Sequence, residues 1–216
     1  MARYKVLLAD DHAIIRDGLK QILADTGDLE VAGEAANGLE VLQQVREKQW
    51  DVLVLDISMP GRNGLDLIHL IKAEKPDLPI LILSMHHEEQ YALRAIHAGA
   101  SGYLTKESDG ELLVSAIRRV AGGGVHVSEK VAELMVRELR PGKEPFPHSL
   151  LSDREFQVFN MLVMGQGLTE IGVELSLSVK TISTHKTHIL QKMNLSNTAE
   201  LIRYAIAHRL AEPGDF

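Results

Sequence analysis

The sequence predicts an α/β domain with a doubly wound, five-stranded parallel sheet, followed by a smaller all-α domain. Strand-like and helix-like segments alternate five times over residues 1–122, and such alternation is typical of parallel sheets with helices on both faces. After a proline-rich connector, only helical patterns follow. A chain of 216 residues is also long enough for two domains.

The five predicted strands are aliphatic runs closed by polar or turn residues. They span residues 4–9, 29–35, 52–55, 79–83 and 102–104. The predicted helices carry apolar residues at helical spacing. They span residues 13–24, 39–47, 65–73, 91–98 and 112–121. In the first helix, the residues predicted to face the sheet are Ile14, Ile15, Leu19, Ile22 and Leu23.

The connector contains one helix-like stretch over 127–139, and then RPGKEPFPHS, whose three prolines predict an extended, fairly stiff linker. The second domain begins near Leu150, where Ser152 and Glu155 have the spacing of a capping box. Its helices are predicted over 153–164, 168–175, 179–193 and 199–207. The predicted organisation is therefore a domain over 1–124, a linker over 125–149 and a domain over 150–216.

Composition limits the class of protein. The chain has no cysteine, so it has no disulfide framework and no thiolate chemistry. No apolar run approaches the roughly 20 residues of a membrane span, and the acidic N-terminal segment does not fit a secretory signal. We therefore expect a cytoplasmic protein without membrane association. The formal net charge of −7 argues against a protein that coats nucleic acid, but it allows a local binding face.

Polar side chains follow four of the five predicted strands. Asp10 and Asp11 follow the first strand, Asp56 the third, Ser84 the fourth and Lys106 the fifth. Sites in such sheets form outside the carboxyl ends of the strands, so these side chains should share one rim.

The chemistry of this rim points to phosphoryl transfer. Three close carboxylates repel one another unless a divalent cation lies among them, and oxygen ligands with room for water suit magnesium (Mg²⁺). Lys106 can pair with a phosphoryl group, and the Ser84 hydroxyl can donate to its oxygens. Asp56 would then be the nucleophile.

Residues 1–122 resemble the receiver domain of two-component response regulators. The resemblance is carried by LLADDH, VLVLDISMPGRNG, LILSMH and GASGYLTK. It implies that a histidine kinase or phosphotransfer protein phosphorylates Asp56. It also implies that Asp10, Asp11, Asp56 and the backbone carbonyl of Ser58 hold Mg²⁺.

The same resemblance implies a conformational switch formed by Ser84 and Tyr103. Tyr103 can equally well be interpreted as a structural residue that packs in the core from a half-buried strand. The helix 4–strand 5–helix 5 surface would respond to phosphorylation.

In the second domain, residues 170–193 predict a helix-turn-helix with its turn at 175–178. On the second helix, Ile182, His185, Ile189 and Met193 are predicted to face inward. No Asp or Glu occurs over 176–199, although the whole chain is acidic. A locally basic, hydroxyl-rich helix is what a reader of the DNA major groove needs.

Residues 150–208 resemble the helix-turn-helix domain of the NarL/FixJ (LuxR-type) regulators, through LSDREFQVF, MGQGLTEIGVELSLSVKTISTHKTHILQKMNL and TAELIRYA. The resemblance implies base contacts by Ser183, Thr184 and Thr187. It implies contacts to the DNA backbone by Lys180, Lys186 and Lys192. His188 is predicted to face outward, where it can contact phosphate.

The family pairs its DNA-binding domains through the last helix. Here Leu201, Ile202, Ala205 and Ile206 include both core and interface candidates, and their spacing does not separate the two. The expected protein is a transcriptional response regulator that binds double-stranded promoter DNA as a phosphorylation-dependent homodimer.

Two other classes stay open. One is a Mg²⁺-dependent phosphohydrolase with an aspartyl nucleophile, although no second general acid is evident beyond Asp10 and Asp11. The other is a scaffold or constitutive DNA-binding protein that does not respond to phosphorylation.

Overall fold

The computed structural model describes residues 3–59, 64–85, 88–138, 146–208 and 210–211. The chain forms two compact units, Met1–Met135 and Val136–Phe216. Among the helices of the described residues, none combines the length and apolar character needed to cross a membrane.

The first unit is built on a five-stranded parallel sheet. Its strands are β1 (Tyr4–Ala9), β2 (Leu29–Ala35), β3 (Val52–Leu55), β4 (Ile80–Ser84) and β5 (Gly102–Thr105). They lie in the order β2-β1-β3-β4-β5, and every adjacent pair is parallel. All residues of β3 and β4 are buried, as expected for central strands covered on both faces. The predicted doubly wound sheet is confirmed.

Helices follow the strands one by one. They are α1 (Ala13–Ala24), α2 (Gly38–Glu47), α3 (Gly64–Glu74), α4 (Glu88–His97) and α5 (Gly110–Ala121). Helices α1 and α5 contact each other, whereas α3 contacts α2 and α4. The core between the sheet and the α1–α5 pair includes Val6, Leu23, Val54, Leu83 and Ile117.

The inward face of α1 is narrower than predicted. Leu19 and Leu23 are buried, but Ile14 is 86% exposed and Ile22 is 38% exposed. The prediction was wrong for Ile14, because nine residues at 3.6 per turn put it about 180° around the helix from Leu23.

The segment after α5 packs against the edge of β5. His126 forms a parallel bridge with Gly102, and the His126 carbonyl accepts a hydrogen bond of 3.0 Å from the Tyr103 N–H. A side chain at Gly102 would contact that carbonyl at 2.7 Å, so close approach requires glycine here. Helix α6 (Glu129–Glu138) follows, and Val131 on it is fully buried.

The described part of the predicted linker over 125–149 contains helix α6 and a short 3-10 helix. Contacts assign its residues up to Met135 to the first unit. Residues 139–145 lie outside the described residues. Residues Pro147–Leu150 form a short 3-10 helix instead of an extended segment. A proline at the first position of a helix loses no intrahelical hydrogen bond, which explains this difference.

The second unit contains four helices: α7 (Asp153–Val163), α8 (Leu168–Glu174), α9 (Val179–Lys192) and α10 (Thr198–Ala207). Helix α9 packs on α7 and α8, and α10 packs on α7. The fully buried side chains include Phe156, Phe159, Ile171, Ile182 and Ile189. The predicted capping box of Ser152 and Glu155 begins α7. The predicted helix-turn-helix is confirmed, with Ser176 at a positive φ of 54° in its turn.

Candidate functional site

The pairing of β1 with β3 brings two carboxylates together. Ala9 is in register with Leu55, and the Asp56 N–H donates to the Ala9 carbonyl at 2.8 Å. Asp10 and Asp56 therefore leave the two strands side by side. Each residue is only 2% exposed. Two buried carboxylates in water-poor surroundings need a compensating charge.

Lys106 supplies part of that charge. Its Nζ lies 2.6 Å from Oδ2 of Asp10 and 2.6 Å from Oδ2 of Asp56, and its side chain is 5% exposed. The Lys106 N–H donates to the Ser84 carbonyl at 2.8 Å, which holds the end of β5 against β4. Burial alone would lower the pKa of Lys106, but the two carboxylates outweigh it and raise that pKa above its usual value.

The turn after β3 orients the second oxygen of Asp56. The Ser58 N–H donates to Asp56 Oδ1 at 2.9 Å. Gly64, the first residue of α3, packs so closely on Ile57 that a side chain at position 64 would overlap the Ile57 backbone. This glycine therefore lets α3 begin directly behind the turn.

Asp11 and His12 complete the rim on the other side of Asp10. The His12 N–H donates to Asp10 Oδ1 at 2.8 Å, and His12 Nδ1 lies 3.0 Å from Asp11 Oδ1. The Arg16 guanidinium donates to the Asp10 carbonyl at 2.6 Å and to Glu34 at 3.2 Å. These contacts fix the backbone that carries the paired acids.

The donor set fits a divalent cation. Ligand atoms of Asp10, Asp11, His12 and Asp56 all lie within 4.8 Å of one another. Among the described residues, the buried atoms Asp10 Oδ2 and Asp11 Oδ1 have no hydrogen bond of good geometry, although Oδ2 of Asp10 also has the ion-pair contact with Lys106. Three carboxylates against one ammonium leave an excess of negative charge. Carboxylate oxygens are the ligands of hard cations.

Ser84 and Tyr103 are both fully buried. Ser84 ends β4 opposite Thr105, next to Lys106. Tyr103 is among the largest fully buried side chains, as its packing interpretation expects. The switch role of the two residues stays a prediction.

Helix α9 presents a polar surface. Lys180, Ser183, Thr184 and Thr187 are exposed. The Thr184 and Thr187 hydroxyls donate to the carbonyls of Lys180 and Ser183, each at 3.0 Å. In this conformation the two hydroxyls are free to accept hydrogen bonds, and amino groups of cytosine and adenine are donors of this kind in the major groove.

Lys192, which is predicted to contact the DNA backbone, has an ion-pair partner within the second unit. Its Nζ lies 2.6 Å from Oε2 of Glu155, which is only 5% exposed. The same oxygen accepts the Ser152 N–H at 2.8 Å. Burial would raise the pKa of Glu155, but Lys192 and Ser152 outweigh it and lower that pKa. This ion pair gives Lys192 a structural role, and its contact with the DNA backbone stays a prediction.

The remaining predicted positions of the second unit differ in exposure. His188 is exposed, with Nδ1 3.8 Å from Glu155 Oε1, and Lys186 is half-buried. His185 is half-buried, and burial followed by the nearby Arg154 lowers its pKa, which agrees with its predicted inward side.

On α10, the structure separates core from surface where spacing did not. Leu201 and Ala205 are fully buried, Ile202 is half-buried and Ile206 is 37% exposed. Ile202 and Ile206 are therefore the apolar candidates for an interface.

Three features of the two sites were not predicted from the sequence. His12 directly follows the paired acids, so the rule that collected the rim residues also applies to it. Arg16 and the pairing of Glu155 with Lys192 have no comparable local signal, because their partners are a backbone carbonyl and a side chain 37 positions away.

Comparisons with known proteins match one family to each of the two units. Residues 6–118 match the response regulator receiver domain, and residues 149–205 match the bacterial regulatory proteins of the luxR family. The oxygen regulatory protein NreC of Staphylococcus carnosus strain TM300 is 39% identical over 215 residues. That match covers 96% of this chain and 99% of NreC.

Solved structures agree as well. RcsB of Salmonella enterica serovar Typhimurium, bound to promoter rprA in the presence of the phosphomimetic BeF₃⁻, is 26% identical with a TM-score of 0.66, over 94% of this chain and 98% of that one. The response regulator ChrA of a heme-sensing two-component system is 30% identical with a TM-score of 0.53, over 98% of this chain and 100% of ChrA. The chain therefore belongs to the NarL/FixJ (LuxR-type) response regulators and is a DNA-binding transcriptional response regulator of a two-component system.

Proposed function

We propose that Asp56 accepts a phosphoryl group from a histidine kinase or phosphotransfer protein, and that this modification controls dimerisation and promoter binding. The observation that carries the proposal is the environment of Asp56. Its carboxylate is buried, with Oδ2 at 2.6 Å from Lys106 Nζ and Oδ1 on the Ser58 N–H. A carboxylate oxygen attacks phosphorus, the P–N bond of phosphohistidine breaks, and the imidazole leaving group takes up a proton.

The rim residues divide the remaining tasks. Lys106 pairs with the phosphoryl oxygens, and the Ser84 hydroxyl donates to them. Asp10, Asp11, Asp56 and the Ser58 carbonyl are the candidate ligands of Mg²⁺, which neutralises phosphoryl charge when bound. Chemistry at Asp56 is thus self-catalysed phosphoryl transfer onto the protein, and the chain needs no second general acid.

The output follows from the second unit. Helix α9 enters the major groove, with Ser183, Thr184 and Thr187 towards base edges and Lys180 towards phosphate. Two copies pair through α10, with Ile202 and Ile206 in the interface, and bind half-sites separated by about one helical turn of roughly 34–36 Å. RcsB has been solved on promoter DNA in the presence of BeF₃⁻, which supports promoter binding by this chain.

The domain organisation proposed with this function is a receiver over 1–124, a linker over 125–149 and a DNA-binding domain over 150–216. A protein that binds promoter DNA and carries no described membrane helix is expected in the cytoplasm.

Labelling with radioactive acetyl phosphate and Mg²⁺ tests the phosphoacceptor. Wild type should incorporate label, and Asp56→Asn should incorporate none. Asp51→Asn is the matched control, because Asp51 precedes β3 as Asp56 follows it, and its exposed carboxylate accepts only the Lys5 N–H at 2.7 Å among the contacts of the described residues. Label in Asp56→Asn equal to that in wild type would overturn the assignment. Sustained hydrolysis of small phosphate esters would favour an enzyme instead.

A further inference from the structure

A nitrogen donor lies beside the carboxylates of the cation pocket. His12 Nδ1 is 3.0 Å from Asp11 Oδ1 and 3.3 Å from Asp10 Oδ1. With Asp56 these residues form the group whose ligand atoms lie within 4.8 Å of one another. Within this group Asp10 Oδ2 is paired with Lys106 Nζ at 2.6 Å, and Asp11 Oδ1 is contacted by His12 Nδ1. The pocket therefore offers mixed oxygen and nitrogen ligands.

The His12 ring neither caps a helix nor packs in the core. His12 is the N-cap residue of α1, a position where Ser, Thr, Asp or Asn usually caps the helix, but its ring makes no capping hydrogen bond. The side chain is 63% exposed, so it is not part of the core. Within the described residues, its ring contacts are with the Asp10 and Asp11 carboxylates.

His12 and Lys106 contact different oxygens. Lys106 Nζ contacts Oδ2 of Asp10 and of Asp56, whereas His12 Nδ1 contacts Oδ1 of Asp10 and of Asp11. The ammonium and the imidazole thus lie at opposite oxygens of the Asp10 carboxylate. A cation bound beside His12 does not have to displace Lys106.

Ligand chemistry separates the cations that such a pocket would take. Mg²⁺ prefers oxygen ligands and keeps several waters. Imidazole nitrogen suits first-row transition metals, whose affinity for a given site rises from Mn²⁺ through Co²⁺ and Ni²⁺. We propose that His12 is a ligand for divalent transition-metal ions, and that the pocket binds Co²⁺ and Ni²⁺ through carboxylates and imidazole but Mg²⁺ through oxygens alone. This proposal rests on the cation pocket of the proposed function.

Calorimetric titration of the metal-free, full-length protein with Co²⁺ and with Mg²⁺ tests it. His12→Asn should weaken Co²⁺ binding at least about tenfold, since loss of even a group that supports a metal ligand costs about 10- to 100-fold. Mg²⁺ binding should change less than about twofold, because Mg²⁺ takes oxygen ligands. Asparagine is a favoured N-cap residue, so this variant should fold.

Two controls accompany it. His97→Asn removes another exposed histidine of the same unit and should leave Co²⁺ affinity unchanged. Asp11→Asn should weaken the binding of both Co²⁺ and Mg²⁺. The proposal would be overturned if His12→Asn left Co²⁺ affinity unchanged or weakened Co²⁺ and Mg²⁺ binding equally. It would also be overturned if His97→Asn lost as much Co²⁺ affinity as His12→Asn. The labelling of Asp56 is a separate readout: absence of label together with the expected Co²⁺ pattern would refute the phosphoacceptor but not His12.

Discussion

The ammonium of Lys106 lies 2.6 Å from a carboxylate oxygen of Asp56, although the two residues are 50 positions apart in the chain. The sheet creates this contact, because β3 and β5 end at the same rim on either side of β4. Both side chains are almost completely buried. The charge balance of the rim thus depends on one lysine, and phosphorylation would change that balance directly.

Lys106→Met should destabilise the first unit. Removing one partner of a buried ion pair costs about 3–5 kcal/mol, because the remaining charges are left uncompensated. Here Asp10 and Asp56 would repel each other, so millimolar Mg²⁺ should restore part of the loss. Urea unfolding followed by Trp50 fluorescence measures this, since Trp50 is the one tryptophan of the chain and lies in the first unit.

Lys20→Met is the control for that experiment. Lys20 also has two carboxylate partners, Asp17 at 2.8 Å and Glu34 at 2.9 Å, but this cluster is at the surface. Exposed ion pairs contribute little to stability, so Lys20→Met should lower the free energy of unfolding much less than Lys106→Met, and independently of Mg²⁺. Equal losses in the two variants would contradict the compensating role of Lys106.

Lys180 and Lys192 should differ in DNA binding. Lys180→Ala should leave stability unchanged and reduce the slope of log affinity against log salt by about 0.9, as expected for one lost phosphate contact. Lys192→Ala should keep the slope but destabilise the second unit, because Glu155 loses its ion pair. Fluorescence anisotropy over a salt series on a promoter fragment found by footprinting measures the slopes. Equal slope changes would show that Lys192 contacts DNA.

Glu155→Gln should destabilise the second unit at neutral pH by about 1.5–3 kcal/mol, the range for a hydrogen bond to a charged group. The folded pKa of Glu155 lies below its unfolded value of about 4.3, so its contribution is complete above that pH and is lost as the pH falls through the folded pKa. The difference in free energy of unfolding between wild type and Glu155→Gln should therefore be present at neutral pH and shrink as the pH falls through the folded pKa.

Hydrogen exchange of peptides from α7 and α9 measures this difference. Comparison of the two proteins at each pH cancels the intrinsic pH dependence of exchange. A difference that grows in acid would have the wrong sign for this ion pair.

Ile206→Glu should weaken dimerisation of the phosphorylated protein, with an unchanged melting temperature, because Ile206 is 37% exposed on α10. Met164→Glu puts the same charge on another exposed apolar position of the second unit and should have no such effect. Sedimentation of acetyl-phosphate-treated protein measures the dimer fraction. An unchanged dimer fraction in Ile206→Glu would place the interface elsewhere.

The fold could be predicted because local patterns and the parallel-sheet rule agree. The aliphatic run of β3 predicts a strand buried on both faces, and all four of its residues are buried. Strand ends then place Asp10, Asp56 and Lys106 on one rim, where the structure brings them together. Each of these inferences needs only short-range periodicity and topology.

Contacts that depend on tertiary packing could not be predicted in this way. The inward face of α1 was predicted too wide: it included Ile14, which lies on the side of the helix opposite Leu23 and is exposed. A lysine on a basic helix is a candidate for a phosphate contact, but Lys192 also forms an ion pair with the buried carboxylate of Glu155 on α7. The side-chain direction of His12 depends on the turn after β1, which periodicity does not describe.

Promoter affinity of wild type and Asp56→Asn, each with and without acetyl phosphate and Mg²⁺, tests whether phosphorylation of Asp56 controls DNA binding. We expect the treatment to tighten binding by the wild-type protein and to have no effect on Asp56→Asn. Equal affinity of the wild-type protein before and after phosphorylation, with Asp56 shown to be labelled, would contradict it.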